Sequence, residues 1–227
     1  MTCPRYSESL CALAVWTIGC GGEIQTEVTE DELIGGTETY SRKEVGRIIV
    51  GNGSCTATLV RANVVITAAH CVDFDSSARA SDAWFVANRS RGDVEWFGVR
   101  AYVSFGSDVG DDDVALARLS ESVPEEFARP ARLADRDPED GERVTSYGFG
   151  CTDRDNEGQA PRKRKVSYRY PRGHVLCPGD SGGPGFLGAR GALSLIHSGF
   201  WVGSGGDIHA RVSAVRERID HQLAEWN

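Results

Sequence analysis

Gly179-Asp180-Ser181-Gly182-Gly183-Pro184 sets a serine in a turn of glycines. Without a Cβ, glycine bends sharply and lets backbone N–H groups approach a ligand closely. A serine held this way becomes a nucleophile when a base takes its proton, a third group fixes the base's tautomer, and donors wait for the developing oxyanion. The amides of Gly179 and Ser181 are the natural donors. Toward the N-terminus, Thr67-Ala68-Ala69-His70-Cys71 supplies a base in His70. Asp113-Val114-Ala115-Leu116-Ala117-Arg118-Leu119 places an acid at the head of an apolar run. Asp111 and Asp112 precede it, and only the register against Val114 and Leu116 favours Asp113 as the orienting carboxylate. His174, His197, His209 and His221 have no such context and no expected part in proton transfer.

Around these motifs lies an ordinary folding composition. The 227 residues are 40% hydrophobic and 26% charged, enough to bury a core in one or two compact units. The 27 glycines are spread along the chain between valine-rich runs, which favours short strands joined by tight turns. The formal net charge of -8 excludes an electrostatic nucleic-acid binder. Strand-length apolar runs fall at 45–50, 56–60, 64–67, 84–87, 94–102 and 114–119, then at 144–149, 165–170, 191–196 and 208–212. Between the two sets, Pro124 to Gly141 is charged and proline-bearing, which suits a crossover between halves. Val212, Val215, Ile219, Leu223 and Trp226 recur at helical spacing, with Ser213 as the expected N-cap. Arg162-Lys163-Arg164-Lys165 reads as a charged strand edge that resists pairing with other chains.

The N-terminus carries Leu10 to Ile18, too short to span a bilayer but suited to a signal-peptide core, although Glu8 is unusual in the segment before one. Residues 1–20 are expected to be a signal peptide. Gly19-Cys20-Gly21 resembles a bacterial lipoprotein processing site, which makes Cys20 a lipidation candidate and the membrane surface a possible partner; plain secretion is the alternative. Residues 21–32 are acidic and poor in apolar side chains, as a tether or propeptide would be. Of seven cysteines, Cys3 and Cys11 fall in the presumed signal and Cys20 would take the lipid, leaving Cys55, Cys71, Cys151 and Cys177 for two bridges. Three pairings are open. Export to an oxidising compartment, secreted or periplasmic and outer-membrane anchored, is the consequence.

The serine, histidine and aspartate motifs, in this order, resemble those of trypsin-like (chymotrypsin family) serine proteases. The resemblance covers about 33–224 and implies an all-β fold: two packed antiparallel six-stranded β-barrels with a C-terminal α-helix. The first barrel is expected at about 33–128, the second at about 129–212 and the helix at about 213–226. It further implies a serine endopeptidase with Ser181 as nucleophile, His70 as base and Asp113 as orienter, an oxyanion hole at Gly179 and Ser181, a protein or peptide substrate, and neither cofactor nor metal. It implies Cys55 paired with Cys71, and with that Cys151 with Cys177, which departs from the family's usual partner because no cysteine follows Ser181. Leu33-Ile34-Gly35-Gly36 resembles the N-terminus that family zymogens expose on cleavage, with Asp180 as the partner of the freed amine. An activating protease, or self-cleavage at acidic sites, would cut after Glu32.

For the substrate pocket the resemblance points to Val175 and Leu176, and to a wall at Ser194, Leu195 and Ile196. Val175 stands where enzymes that prefer Arg or Lys carry an aspartate, so an apolar preference is expected, with Asp207 or His197 able to reach the same pocket and turn it acid-preferring or mixed. The alternative to an enzyme is a catalytically silent peptide-binding protein of this fold at the cell envelope. A metal-dependent hydrolase built on Asp108 to Asp113 lacks ligands at suitable spacing.

Overall fold

The computed structural model describes residues 36–73, 79–90, 92–153, 156–159, 162–171, 175–188, 190–201 and 206–226. Cys20, the signal, the tether, Leu33 and His174 lie outside the described residues.

Six strands close into a barrel: β2 (Val45–Val50), β3 (Gly53–Arg61), β4 (Val64–Thr67), β5 (Ala83–Ser90), β6 (Asp93–Ser104) and β7 (Ala115–Leu119), hydrogen-bonded in the order β2-β3-β4-β7-β6-β5. Alternation along each strand sends one set of side chains inward. Ile48, Leu59, Val65, Phe85, Phe97 and Leu119 fill that interior, with Phe127 of the following segment closing one end. Closure removes the exposed edges that short strands otherwise present.

The second half is one six-stranded sheet in the order β1-β11-β8-β12-β13-β14, the second barrel of the fold. Its members are β1 (Thr37–Glu38), β8 (Arg143–Gly148), β11 (Arg164–Arg169), β12 (Pro184–Leu187), β13 (Leu193–Phe200) and β14 (Asp207–Arg211). Between β8 and β11 a small hairpin forms from β9 (Cys151–Asp153) and β10 (Asn156–Gln159). The first described strand, which no apolar run announced and which lies in the range expected for the first barrel, pairs with β11 of the second half. The N-terminal segment therefore ties both halves together before the first barrel begins. Residues 124–141 form the crossover, with no named strand and an isolated bridge from Leu133 to Leu193.

Two expectations need correction. Ser213 does not cap the terminal helix: Val212–Val215 form a 3-10 turn, α2 runs over Arg216–Glu225 with Val215 at its N-cap, and Ser213 Oγ donates to Asp137 Oδ1 at 2.5 Å. The apolar stripe is as expected, with Val212, Val215, Ile219 and Leu223 buried between the halves beside Ile66, Leu116 and Phe186. Nor is the basic run an exposed edge, because β11 is paired on both sides, by β1 and β8. Lys163 is 1% exposed, and its Nζ donates to the carbonyls of Arg42 at 2.6 Å and Val45 at 3.0 Å. Burial lowers its pKa from 10.5 to about 7, with Glu44 opposing the shift. Among the described residues no helix is long and apolar enough to cross a membrane.

Candidate active site

The histidine comes off the end of β4. Ala68 and Ala69 are fully buried and small enough to let the chain turn straight into α1 (Ala69–Val72), while Cys71 is bridged to Cys55 on β3. That bridge leaves His70 half-turned to solvent, its side chain 26% exposed. The aspartate waits just before β7. Asp113 is wholly buried, whereas Asp111 and Asp112 are exposed and Asp111 pairs with Arg211 at 2.7 Å. Burial therefore separates the three acids: Val114 and Leu116 go into the inter-barrel core and carry Asp113 in with them.

A buried carboxylate persists only when its oxygens are satisfied. Asp113 Oδ1 accepts the backbone N–H of His70 at 3.0 Å, and Oδ2 pairs with His70 Nδ1 at 2.7 Å. A third donor comes from the other half: Ser198 Oγ donates to Oδ2 at 2.5 Å and itself accepts the N–H of Gly110 at 3.1 Å. With the carboxylate on Nδ1, that nitrogen carries the proton and Nε2 is left as the acceptor. Ser198 was not singled out from sequence, because a lone serine in a strand carries no local signal.

The serine loop is fastened to the same corner. Thr56 N–H donates to Ser181 O at 2.8 Å, and Thr56 Oγ1 donates to Gly179 O at 2.9 Å. Thr56 adjoins the bridged Cys55, so Ser181 is held beside the strand end that carries His70. The fit requires glycine: at Gly182, φ is +77° and a Cβ would lie 3.0 Å from Ala68 N. Gly179 has φ of +97°. Around it the amides of Asp180, Gly182 and Gly183 donate to Cys177 O, His197 O and Asp180 O. Those of Gly179 and Ser181 have no acceptor among the described residues. Free backbone donors of this kind are what an oxyanion needs.

Asp180 points away from this corner into the second half. Its Oδ1 accepts Gly150 N–H at 2.8 Å and its Oδ2 accepts Cys177 N–H at 3.1 Å. Complete burial raises its pKa from 3.8 to about 7, partly offset by those two hydrogen bonds. Cys177 is bridged to Cys151, with Cα atoms 5.6 Å apart, which braces the same loop.

The residues expected to line the pocket are all buried. Val175 and Leu176 are buried at 0% and 2% exposure, and their amides donate to Asp207 Oδ2 at 2.8 Å and Oδ1 at 3.2 Å. Ser194, Leu195 and Ile196 have no exposed surface, and Ser194 Oγ is committed to Arg136 O at 2.7 Å. They are core of β13 rather than a wall open to a ligand. The strand runs four residues further than expected, to Phe200, with a bulge between His197 and Gly199. Cys55, His70 and Cys71 bring ligand-type atoms within 4.8 Å of one another, but both sulfurs belong to the bridge.

Comparison with known proteins agrees with this fold. The family model described as Trypsin matches residues 33–172, more than half of the chain, including His70 and Asp113. Comparison with curated proteins gives no match. Among solved structures, the chain is similar to neuropsin, a serine protease of mouse brain, at 18% identity and TM-score 0.69, over 83% of this chain and 98% of that one. It is similar to an inactivated protease paralogue of the scabies mite at 15% identity and TM-score 0.71, over 84% and 97%. Human heparin binding protein aligns at 21% identity and TM-score 0.68, over 84% and 96%.

Proposed function

Because this chain belongs to the trypsin family, we propose that it is a serine endopeptidase with Ser181 as nucleophile, His70 as base and Asp113 as the orienting acid. The fold alone does not carry activity, since one structural neighbour is an inactivated paralogue. The observation that carries it is the buried Asp113, which holds His70 by both backbone and ring while Gly179 and Ser181 leave their amides free.

In the reaction, His70 Nε2 takes the proton of Ser181 Oγ as the oxygen bonds to the substrate carbonyl carbon. The carbonyl oxygen, now an anion, is received by the N–H groups of Gly179 and Ser181. Collapse expels the amine, which takes the proton from His70, and leaves an ester on Ser181. Water, deprotonated by His70, then attacks that ester and releases the acid, restoring Ser181. Asp113 stays ionised throughout and stabilises the imidazolium.

Asp180 supports control by cleavage. Its buried carboxylate has two hydrogen bonds but sits in an environment that disfavours its charge, and the amine freed by cutting before Leu33 would supply the missing cation. The paired cysteines support action outside a reducing compartment, with lipidation at Cys20 as the means of retention. Val175, standing where enzymes that prefer Arg or Lys carry an aspartate, supports an apolar preference.

The test is labelling with a fluorophosphonate probe, comparing the full chain, the chain cut after Glu32, and the Ser181→Ala variant of each. Labelling of the cut form alone, abolished by Ser181→Ala, is the expected result. Folded, bridged protein that never labels would instead be a peptide-binding protein of this fold.

A further inference from the structure

The ladder between β8 and β11 sets Tyr147 opposite Lys165 and Gly148 opposite Arg164. Cross-strand partners share a face and successive residues alternate, so Tyr147 and Lys165 lie on one side of the sheet and Gly148 and Arg164 on the other. A Cβ on Gly148 would run into the Asp180 carboxylate, which places that acid against the second side. On the first side, Tyr147 packs its ring edge-on to Phe186, and Lys165 reaches solvent beside it.

There a cavity of about 420 Å³ is lined by Ser41, Arg42, Tyr147, Lys165 and Arg190. Its lining carries three cations and no carboxylate, in a chain whose formal net charge is -8. Arg42 is committed, to Glu44 at 3.0 Å and to Gly191 O at 2.9 Å. Lys165 and Arg190 are exposed, and neither side chain has a hydrogen-bond or ion-pair partner among the described residues.

The chain itself supplies the opposite charge. Residues 23–32 contain Glu23, Glu27, Glu30, Asp31 and Glu32 and neither Lys nor Arg. They end five residues before Thr37, the register partner of Lys165. Such partners lie about 5 Å apart and an extended chain covers about 3.3 Å per residue, so Glu32 and the acids before it come within reach of both cations. Gly35 and Gly36 precede β1 at the edge of the sheet, where glycine lets the chain turn onto either face.

We propose that the acidic segment 23–32 docks in the Lys165–Arg190 pocket and so keeps the Glu32–Leu33 bond on the face of the sheet opposite Asp180 until it is cut. The docking stands on charge and reach; its consequence for activity rests on the endopeptidase reading and its control by cleavage. A segment joined to β1 is presented to the pocket at an effective concentration on the order of millimolar, which suits ion pairs that are individually weak. Cutting after Glu32 removes that advantage. The acids then leave, and Leu33 is free to cross to the face where Asp180 lies. Because the pairs are exposed, salt opposes the docking.

The chain has three lysines, Lys43, Lys163 and Lys165, of which Lys163 is buried, so carbodiimide coupling of carboxylates to lysine reads the docking directly. In the full chain with Ser181→Ala, mass spectrometry should find Lys165 joined to an acid of 23–32 on the order of 10-fold more often than Lys43. Salt at about 1 M should abolish that excess. An added protease of acidic specificity should cut after Glu32 about 5-fold faster when Lys165→Gln and Arg190→Gln are introduced together, the worth of two exposed pairs. Both measurements use a chain without the nucleophile, so they stand whether or not the protein is a protease; fluorophosphonate labelling of the unmodified chain before and after the cut tests that separately. Equal coupling at Lys43 and Lys165 overturns the proposal, and coupling found only between two chains overturns it in favour of contact between copies. Unchanged cutting of a folded double variant overturns it as well, and the coupling result decides if that variant fails to fold.

Discussion

Ser198 Oγ lies 2.5 Å from Asp113 Oδ2, so a hydroxyl from the second half of the molecule and an imidazole from the first share one buried carboxylate oxygen. The two halves thus meet at the orienting acid as well as at the serine loop.

Ser198→Ala removes one of three donors to a buried charge. Ser198 is a positioning residue, acting through Asp113, and its loss should lower kcat/KM about 10-fold, chiefly in kcat, because a hydrogen bond to an ion is worth about 1.5 kcal/mol or more. Steady-state kinetics on a peptide substrate checks this. A change confined to KM would mean that the hydroxyl holds substrate instead.

Lys163 makes stability depend on pH. Its folded pKa of about 7 lies below the ordinary 10.5, so between these values the unfolded chain binds the proton that the folded chain has released. Stability from this group therefore rises as pH increases from about 7 toward 10.5, by at most about 1.4 kcal/mol per pH unit. Urea midpoints at pH 7 and pH 9.5 should differ in this direction, and Lys163→Met should remove that contribution. Equal pH responses of the two proteins would show that Lys163 titrates normally.

Asp180 works in the opposite sense before any cleavage. Its folded pKa, raised to about 7 by burial, means that the folded chain holds a proton which the unfolded chain loses near 3.8. The stability this provides is complete below about 4 and is lost as pH rises through 7. Asp180→Asn should flatten that decline in the uncut chain. If the variant keeps the same response, a cation already neutralises the carboxylate.

Much of the site was legible because its chemistry sits in short contiguous motifs. The turn at Gly179 to Pro184 demands glycine at positive φ and close approach, and both requirements are local to the residues quoted. His70 was marked by the small residues before it and the cysteine after it. Asp113 could be told from Asp111 and Asp112 only through the apolar run behind it, a signal of burial rather than of chemistry. Ser198 and Thr56 had no such marker, since each acquires its role from a partner more than ten residues away.

The amino-acid sequence alone determined the strand-rich fold, the crossover near Pro124 to Gly141, and the serine, histidine and aspartate motifs, because alternation, turn chemistry and contiguous motifs are properties of neighbours along the chain. Tertiary structure decided the rest. It paired β1 with the second half, buried Lys163 where a charged edge was expected, and ran β13 on to Phe200, which brings Ser198 to Asp113. Each of these depends on register between strands distant in sequence, and a single residue of slip in a ladder reverses which side chain points inward.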